Sequence, residues 1–128
     1  MPTDPFAWDD VDAGERYALY LDLGYTDPDN PTGPYIPQDL TGDTVVFVVE
    51  STAEGAETIR IVAGVTNPAG ALVVEDATGG IVHLTLTPDT TRVLGKASWA
   101  LWTNPDTQDA DAVAKGTIKV QKVVDGRA

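Results

Sequence analysis

Short segments with alternating apolar and polar residues run through most of the chain. Between residues 16 and 23, for example, every second residue is tyrosine or leucine. A period of two directs successive side chains to opposite faces of a β-strand, so that one face packs and the other meets water. Seven segments with this pattern, or with a run of β-formers, are predicted strands: 16–23, 44–50, 57–63, 71–75, 80–87, 96–103 and 113–123.

Twelve glycines and nine prolines punctuate these segments and leave little room for a long helix. One helical turn is predicted at 87–95, because Thr87 can cap it, Pro88 suits its first position and Gly95 can end it. The pattern as a whole predicts an all-β, immunoglobulin-like two-sheet sandwich of about seven strands with one short helical turn. Trp99 is expected to help fill its centre.

The length of 128 residues fits a single domain. We expect an N-terminal arm at 1–14, a sandwich at 15–124 with a proline-rich loop at 24–38, and a C-terminal tail at 125–128. The first five residues, Met-Pro-Thr-Asp-Pro, lack the basic start and apolar run of a signal peptide. No apolar stretch approaches the roughly 20 residues of a membrane-spanning helix.

The charge balance is strongly acidic, with 20 Asp and Glu against 8 Lys and Arg and a net charge of −12. Such a chain repels phosphate backbones and anionic lipids, so neither nucleic acid nor a membrane is an expected partner. Basic proteins and divalent cations remain possible partners. The absence of cysteine excludes disulfides, thiolate metal sites and cysteine nucleophiles.

Residues suited to catalysis are few, and no enzymatic role or catalytic residue is expected. The two serines, Ser51 and Ser98, do not lie in a Gly-x-Ser-x-Gly turn. His83, the single histidine, is predicted to point outward from its strand, and one histidine cannot form a histidine-based zinc site. Carboxylate pairs such as Glu75 and Asp76 are common by chance in so acidic a chain.

Calcium is the one cofactor that the sequence suggests, and no other cofactor is expected. Asp27 and Asp29 open a loop of clustered oxygens of the kind that hard cations prefer. The loop then departs from the EF-hand pattern, with Thr32 at the sixth position and Gln38 at the twelfth. Solvated aspartates in a turn are the favoured interpretation.

Five aromatic residues are candidate interface residues: Phe6, Trp8, Tyr25, Tyr35 and Trp102. Phe6 and Trp8 lie in the N-terminal arm and could either dock into a neighbouring subunit or fold back on the chain's own sandwich. Trp102 has the opposite parity to Leu101 and is predicted to face outward. An alternative hypothesis is a carbohydrate-binding module, in which Trp102, Tyr20 and Tyr35 would stack on a sugar ring.

Several segments together resemble a known family. The Asp-Leu-Thr-Gly run at 39–42, the valine-rich strand at 44–49, the strand at 80–87 and the closing strand at 114–120 resemble the N-terminal immunoglobulin-like domains of phage baseplate and tail-fibre proteins. The likeness spans about residues 14 to 124.

The resemblance implies a virion structural protein made in the host cytoplasm: a tail, baseplate, head–tail or decoration component without enzymatic activity. Its expected partners are other virion structural proteins, and a homo-oligomer within the particle is expected. The alternative is a carbohydrate-binding β-sandwich module on a particle or cell surface. These functional expectations depend on analogy with the family.

Overall fold

A computed structural model describes residues 7–12, 14–26, 29–30, 32–51 and 58–121, which form a sandwich of two β-sheets. The described residues contain ten strands and one helix. In chain order they are β1 (Ala7–Asp12), β2 (Tyr17–Asp22), β3 (Gly24–Thr26), β4 (Tyr35–Pro37), β5 (Val45–Ser51), β6 (Ile59–Val62), β7 (Gly70–Asp76), β8 (Ile81–Leu86), α1 (Pro88–Leu94), β9 (Lys96–Thr103) and β10 (Asp111–Gln121).

The larger sheet has five strands in the order β1-β10-β9-β5-β6, and the smaller has three in the order β2-β8-β7. All neighbours are antiparallel except β1, which runs parallel to β10. In immunoglobulin nomenclature β2, β7 and β8 take the places of strands B, D and E, and β5, β6, β9 and β10 those of C, C′, F and G. The predicted all-β, immunoglobulin-like sandwich is therefore confirmed.

The core lies between the inner faces of the two sheets, where alternate side chains meet. On β8 the inward residues Val82, Leu84 and Leu86 are fully buried, and the residues between them are not. On β9 Trp99 is only 3% exposed, and its ring centroid lies 5.8 Å from that of Phe47 on β5. The expected position of Trp99 near the centre of the sandwich is confirmed.

The helical turn between β8 and β9 has the predicted ends. Thr87 is its N-cap and accepts a hydrogen bond from the Thr90 N–H, Pro88 begins it, and Gly95 ends it with φ of +57°. Thr91 is fully buried. Its hydroxyl donates to the Glu15 carbonyl at 2.7 Å, which ties the helix to the segment before β2.

Two segments differ from the expected arm and loop. Part of the 1–14 segment is a strand, β1, whose Val11 is fully buried. β1 covers an edge of β10 that would otherwise expose a long row of backbone donors and acceptors. The 24–38 segment contains the short hairpin β3–β4. Residues 1–6 and 125–128 lie outside the described residues.

Candidate functional site

The outer face of the five-stranded sheet contains a shallow depression of about 720 Å³. Its lining includes Val48, Glu50, Ala100, Trp102, Lys115 and Thr117, and we call it the Trp102 depression. The strand register explains its position: Ala100 on β9 pairs with Val48 on β5 and with Lys115 on β10. The small side chain of Ala100 leaves space above the middle of the sheet.

The chemistry of the Trp102 depression is that of an apolar surface with a polar rim. Trp102 is half-buried, and Val46, its partner on β5, is fully buried although it also lies on the outer face. Glu50 and Lys115 provide one charge of each sign, and Ser98 supplies a hydroxyl. Such a surface can hold a protein side chain or an uncharged ring that carries hydroxyl groups.

Cations predominate on the described outer positions of β5, β6, β9 and β10. Four positively charged side chains lie there, against the single carboxylate of Glu50; they are Arg60, Lys96, Lys115 and Lys119. Arg60 also binds Asp106 of the β9–β10 loop, at 2.7 Å. These four strands are therefore locally positive on a chain whose net charge is −12, whereas β1, which pairs with β10 at the edge of the same sheet, contains three aspartates.

The outer face of the three-stranded sheet has a different character. Tyr20, His83 and Val73 lie side by side across β2, β8 and β7, and we call this row the Tyr20 ridge. Tyr20 is 64% exposed and Val73 is 45% exposed. The Tyr20 ring stacks on His83, with centroids 4.4 Å apart and planes at 16°. The ridge thus presents an aromatic ring and an aliphatic side chain to solvent.

The charges beside the Tyr20 ridge are negative. Asp22 and Glu75 occupy exposed positions on β2 and β7, and Glu75 Oε1 lies 3.9 Å from His83 Nδ1. None of the three strands contains lysine or arginine. The outer positions of β5, β6, β9 and β10 therefore differ in sign from those of the three-stranded sheet, and the two sets lie on opposite sides of the molecule.

The predicted interface residues within the described ranges belong to β1, to the β3–β4 hairpin and to β9. Trp102 lies on the outer face, as its parity indicated. The backbones of Trp8, Tyr25 and Tyr35 belong to β1, β3 and β4, but their side chains lie outside what the structure describes. Phe6 also lies outside the described residues. No common aromatic patch is therefore defined for this set in the described part of the chain.

Trp102, Tyr20 and Tyr35 cannot all stack on one sugar ring. Tyr20 lies on the three-stranded sheet and Trp102 on the five-stranded sheet. Because both point outward, they are on opposite sides of the sandwich and cannot contact one ring. Any sugar site on the described surface has to use one of the two faces alone.

The residues considered for catalysis or metal binding in the sequence do not form a site in the described part of the chain. The Ser51 hydroxyl donates to the Leu94 carbonyl at 2.8 Å, and Ser98 is exposed in the Trp102 depression. Within the described ranges, no group of three or more His, Asp or Glu side chains is placed to hold a metal ion. Asp27 of the candidate calcium loop lies outside those ranges, and Asp29 is exposed. The same part of the chain contains no helix long and apolar enough to span a membrane.

The Asp-Leu-Thr-Gly run at 39–42 forms a turn before β5. The hydroxyl and the main-chain N–H of Thr41 both hydrogen-bond the Asp39 carboxylate and hold the pKa of this group below its ordinary value. Leu40 is buried, and its N–H donates to the Ala77 carbonyl at 2.8 Å. The run has a structural explanation that is independent of any binding role.

Comparison with known proteins does not assign this chain to a family. No family model matches the chain, and no curated protein is significantly similar to it in sequence. The Tyr20 ridge and the Trp102 depression are therefore the structural features that a functional proposal can use.

Proposed function

We propose that this chain is a structural module of a phage virion that binds a neighbouring subunit on each of its two outer faces. One observation carries the proposal: the Tyr20 ridge and the Trp102 depression lie on opposite sides of one sandwich. Aromatic residues are enriched at protein interfaces, whereas a solvated sheet face is ordinarily polar. A module with two opposite contact faces can link subunits on both sides.

The sequence resemblance to phage baseplate and tail-fibre domains supplies the kind of assembly. It favours a tail, baseplate, head–tail or decoration component, located in the virion and surrounded by other virion structural proteins. An immunoglobulin-like sandwich alone does not favour this role, since the fold serves many functions. The contact surfaces and the resemblance are the two independent supports.

We expect phage particles to contain this chain when they are produced by a host that carries its gene and are purified on a density gradient. Replacing both Tyr20 and Trp102 with alanine should prevent its incorporation, because each substitution removes the largest described side chain of one contact face. Mass spectrometry of the gradient fractions measures the amount. The control is Val65→Ala, since Val65 is 58% exposed but lies in the β6–β7 connection. Expression without any chain in the particles would exclude the proposal.

Carbohydrate binding is the second candidate function, and the composition of the Trp102 depression favours it. A half-buried indole beside a small apolar floor suits the face of a sugar ring, and Glu50, Lys115 and Thr117 offer partners for hydroxyl groups. One charge of each sign favours an uncharged saccharide over a strongly charged one.

A glycan array followed by titration calorimetry tests this second function. We expect Trp102→Ala to abolish binding of any saccharide that the array detects, because the stacking surface is lost. Tyr20→Ala should bind as the unmodified protein does, because Tyr20 lies on the other sheet. Equal losses in the two variants, or a silent array, would eliminate the depression as a sugar site.

A further inference from the structure

We infer that a neighbour of this chain is a second copy of itself, with the Tyr20 ridge of one copy seated in the Trp102 depression of the next. This pairing rests on the proposed function, namely that both outer faces bind neighbours, and it names one of those neighbours. Charge, shape and area each bear on it.

Charge favours contact between unlike faces. The ridge side carries the carboxylates of Asp22 and Glu75. The depression side carries Lys115 and Lys119 on β10, with the outward Thr117 between them, against the single carboxylate of Glu50. Opposite potentials across an interface direct association, whereas juxtaposed like charges oppose it. Two ridges facing each other would place acid against acid. Ridge-to-depression contact is therefore the arrangement with matched charges.

Shape favours the same arrangement. Tyr20 stands out from its sheet, since it is 64% exposed while its neighbour His83 is half-buried. The depression on the other face has a volume of about 720 Å³ over the small side chain of Ala100. We expect the tyrosine ring to lie in this space, beside the indole of Trp102. Its hydroxyl would meet a polar rim, as a buried tyrosine requires.

The area of the contact indicates how strong it can be. Three strands of six or seven residues cover roughly 14 by 20 Å, or about 300 Å², which follows from the usual strand spacing and rise. Stable interfaces bury about 800 Å² per partner. We therefore expect a weak, concentration-dependent contact. Because ridge and depression are different surfaces, repeated contacts generate a ring or an open filament rather than a closed dimer.

Two complementary variants test the inference by sedimentation velocity from micromolar to millimolar concentration. Tyr20→Asp damages the ridge and leaves the depression intact, whereas Lys115→Glu damages the depression and leaves the ridge intact. Both positions are exposed, so circular dichroism should show that both variants fold. We expect the unmodified chain to form a concentration-dependent series of oligomers. Each variant alone should associate at least about tenfold more weakly, the loss typical of an interface anchor.

The decisive sample is an equimolar mixture of the two variants. It contains one intact ridge and one intact depression per pair, so it should form dimers and stop there. Val65→Asp serves as the control, because it adds a charge at an exposed position away from both faces, and it should assemble like the unmodified chain.

Two results would overturn the pairing. If the unmodified chain is monomeric throughout, the neighbour is a different protein, and detection of the chain in particles still decides the proposed function separately. If the unmodified chain associates but the mixture yields no dimer, the copies meet through other surfaces.

Discussion

Replacing Trp99 with alanine is expected to lower the free energy of unfolding by about 3–5 kcal/mol. Trp99 is 3% exposed on the inner face of β9, a strand flanked by β5 and β10, and its ring lies near Phe47. The substitution therefore opens a cavity where the two sheets meet. Domains are usually stable by about 5–15 kcal/mol, so this change could remove much of the total. Urea unfolding followed by circular dichroism measures the loss.

Trp102→Ala is the matched control, because it makes the same chemical change three residues further along the same strand. Trp102 lies on the outer face and is half-buried, so we expect its loss to cost about 1 kcal/mol. Equal destabilisation by the two substitutions would mean that the inner and outer faces of β9 are wrongly assigned.

Gly80→Ala is expected to destabilise the fold by about 2–3 kcal/mol. Gly80 has φ of +70°, a conformation that residues with a side chain rarely adopt. A Cβ atom there would lie 2.5 Å from the Leu23 carbonyl oxygen and 2.7 Å from that of Gln38. Backbone atoms cannot swing aside as a flexible side chain does. The connection between β7 and β8 would have to move away from the segments that flank the β3–β4 hairpin.

Gly42→Ala separates the two causes of this effect. Gly42 has φ of +78°, but a Cβ atom there would meet nothing within 4 Å. Only the backbone conformation opposes this substitution, which is expected to cost about 1 kcal/mol. Thermal unfolding of both variants gives the comparison. If Gly42→Ala lowered the stability as much as Gly80→Ala does, close packing would not explain why residue 80 is a glycine.

Alternation and turn chemistry predicted much of this fold. The predicted strand at 96–103 coincides with β9, and the predicted strand at 16–23 contains β2 with one extra residue at each end. The helical turn was predictable because Thr87, Pro88 and Gly95 act locally. In each case the signal lies within a few neighbouring residues, where a single sequence is most informative.

The missed elements depend on distant parts of the chain. β1 contains three aspartates among six residues, which local propensity disfavours in a strand. Its pairing partner β10 lies about a hundred residues away, so nothing nearby in the sequence reveals the contact. β3 and β4 have three residues each within a proline-rich segment. Strands this short form because of their tertiary partners.

The two contact faces were predictable only in part. Parity indicated that Trp102 and Tyr20 point away from the core. It could not show that Tyr20, His83 and Val73 are cross-strand neighbours, because that requires the strand order and register. The difference in charge between the faces likewise appears only when Lys115 and Glu75 are assigned to different sheets.

The most direct test of the inferred pairing between the Tyr20 ridge and the Trp102 depression is a dilution series of the isotope-labelled protein, followed by amide chemical shifts in NMR spectra. The account predicts that dilution changes the shifts of two groups together: those around Tyr20, His83 and Val73, and those around Ala100 and Lys115. Changes confined to one face, changes at the β6 and β7 edges instead, or unchanged spectra up to millimolar concentration would contradict it.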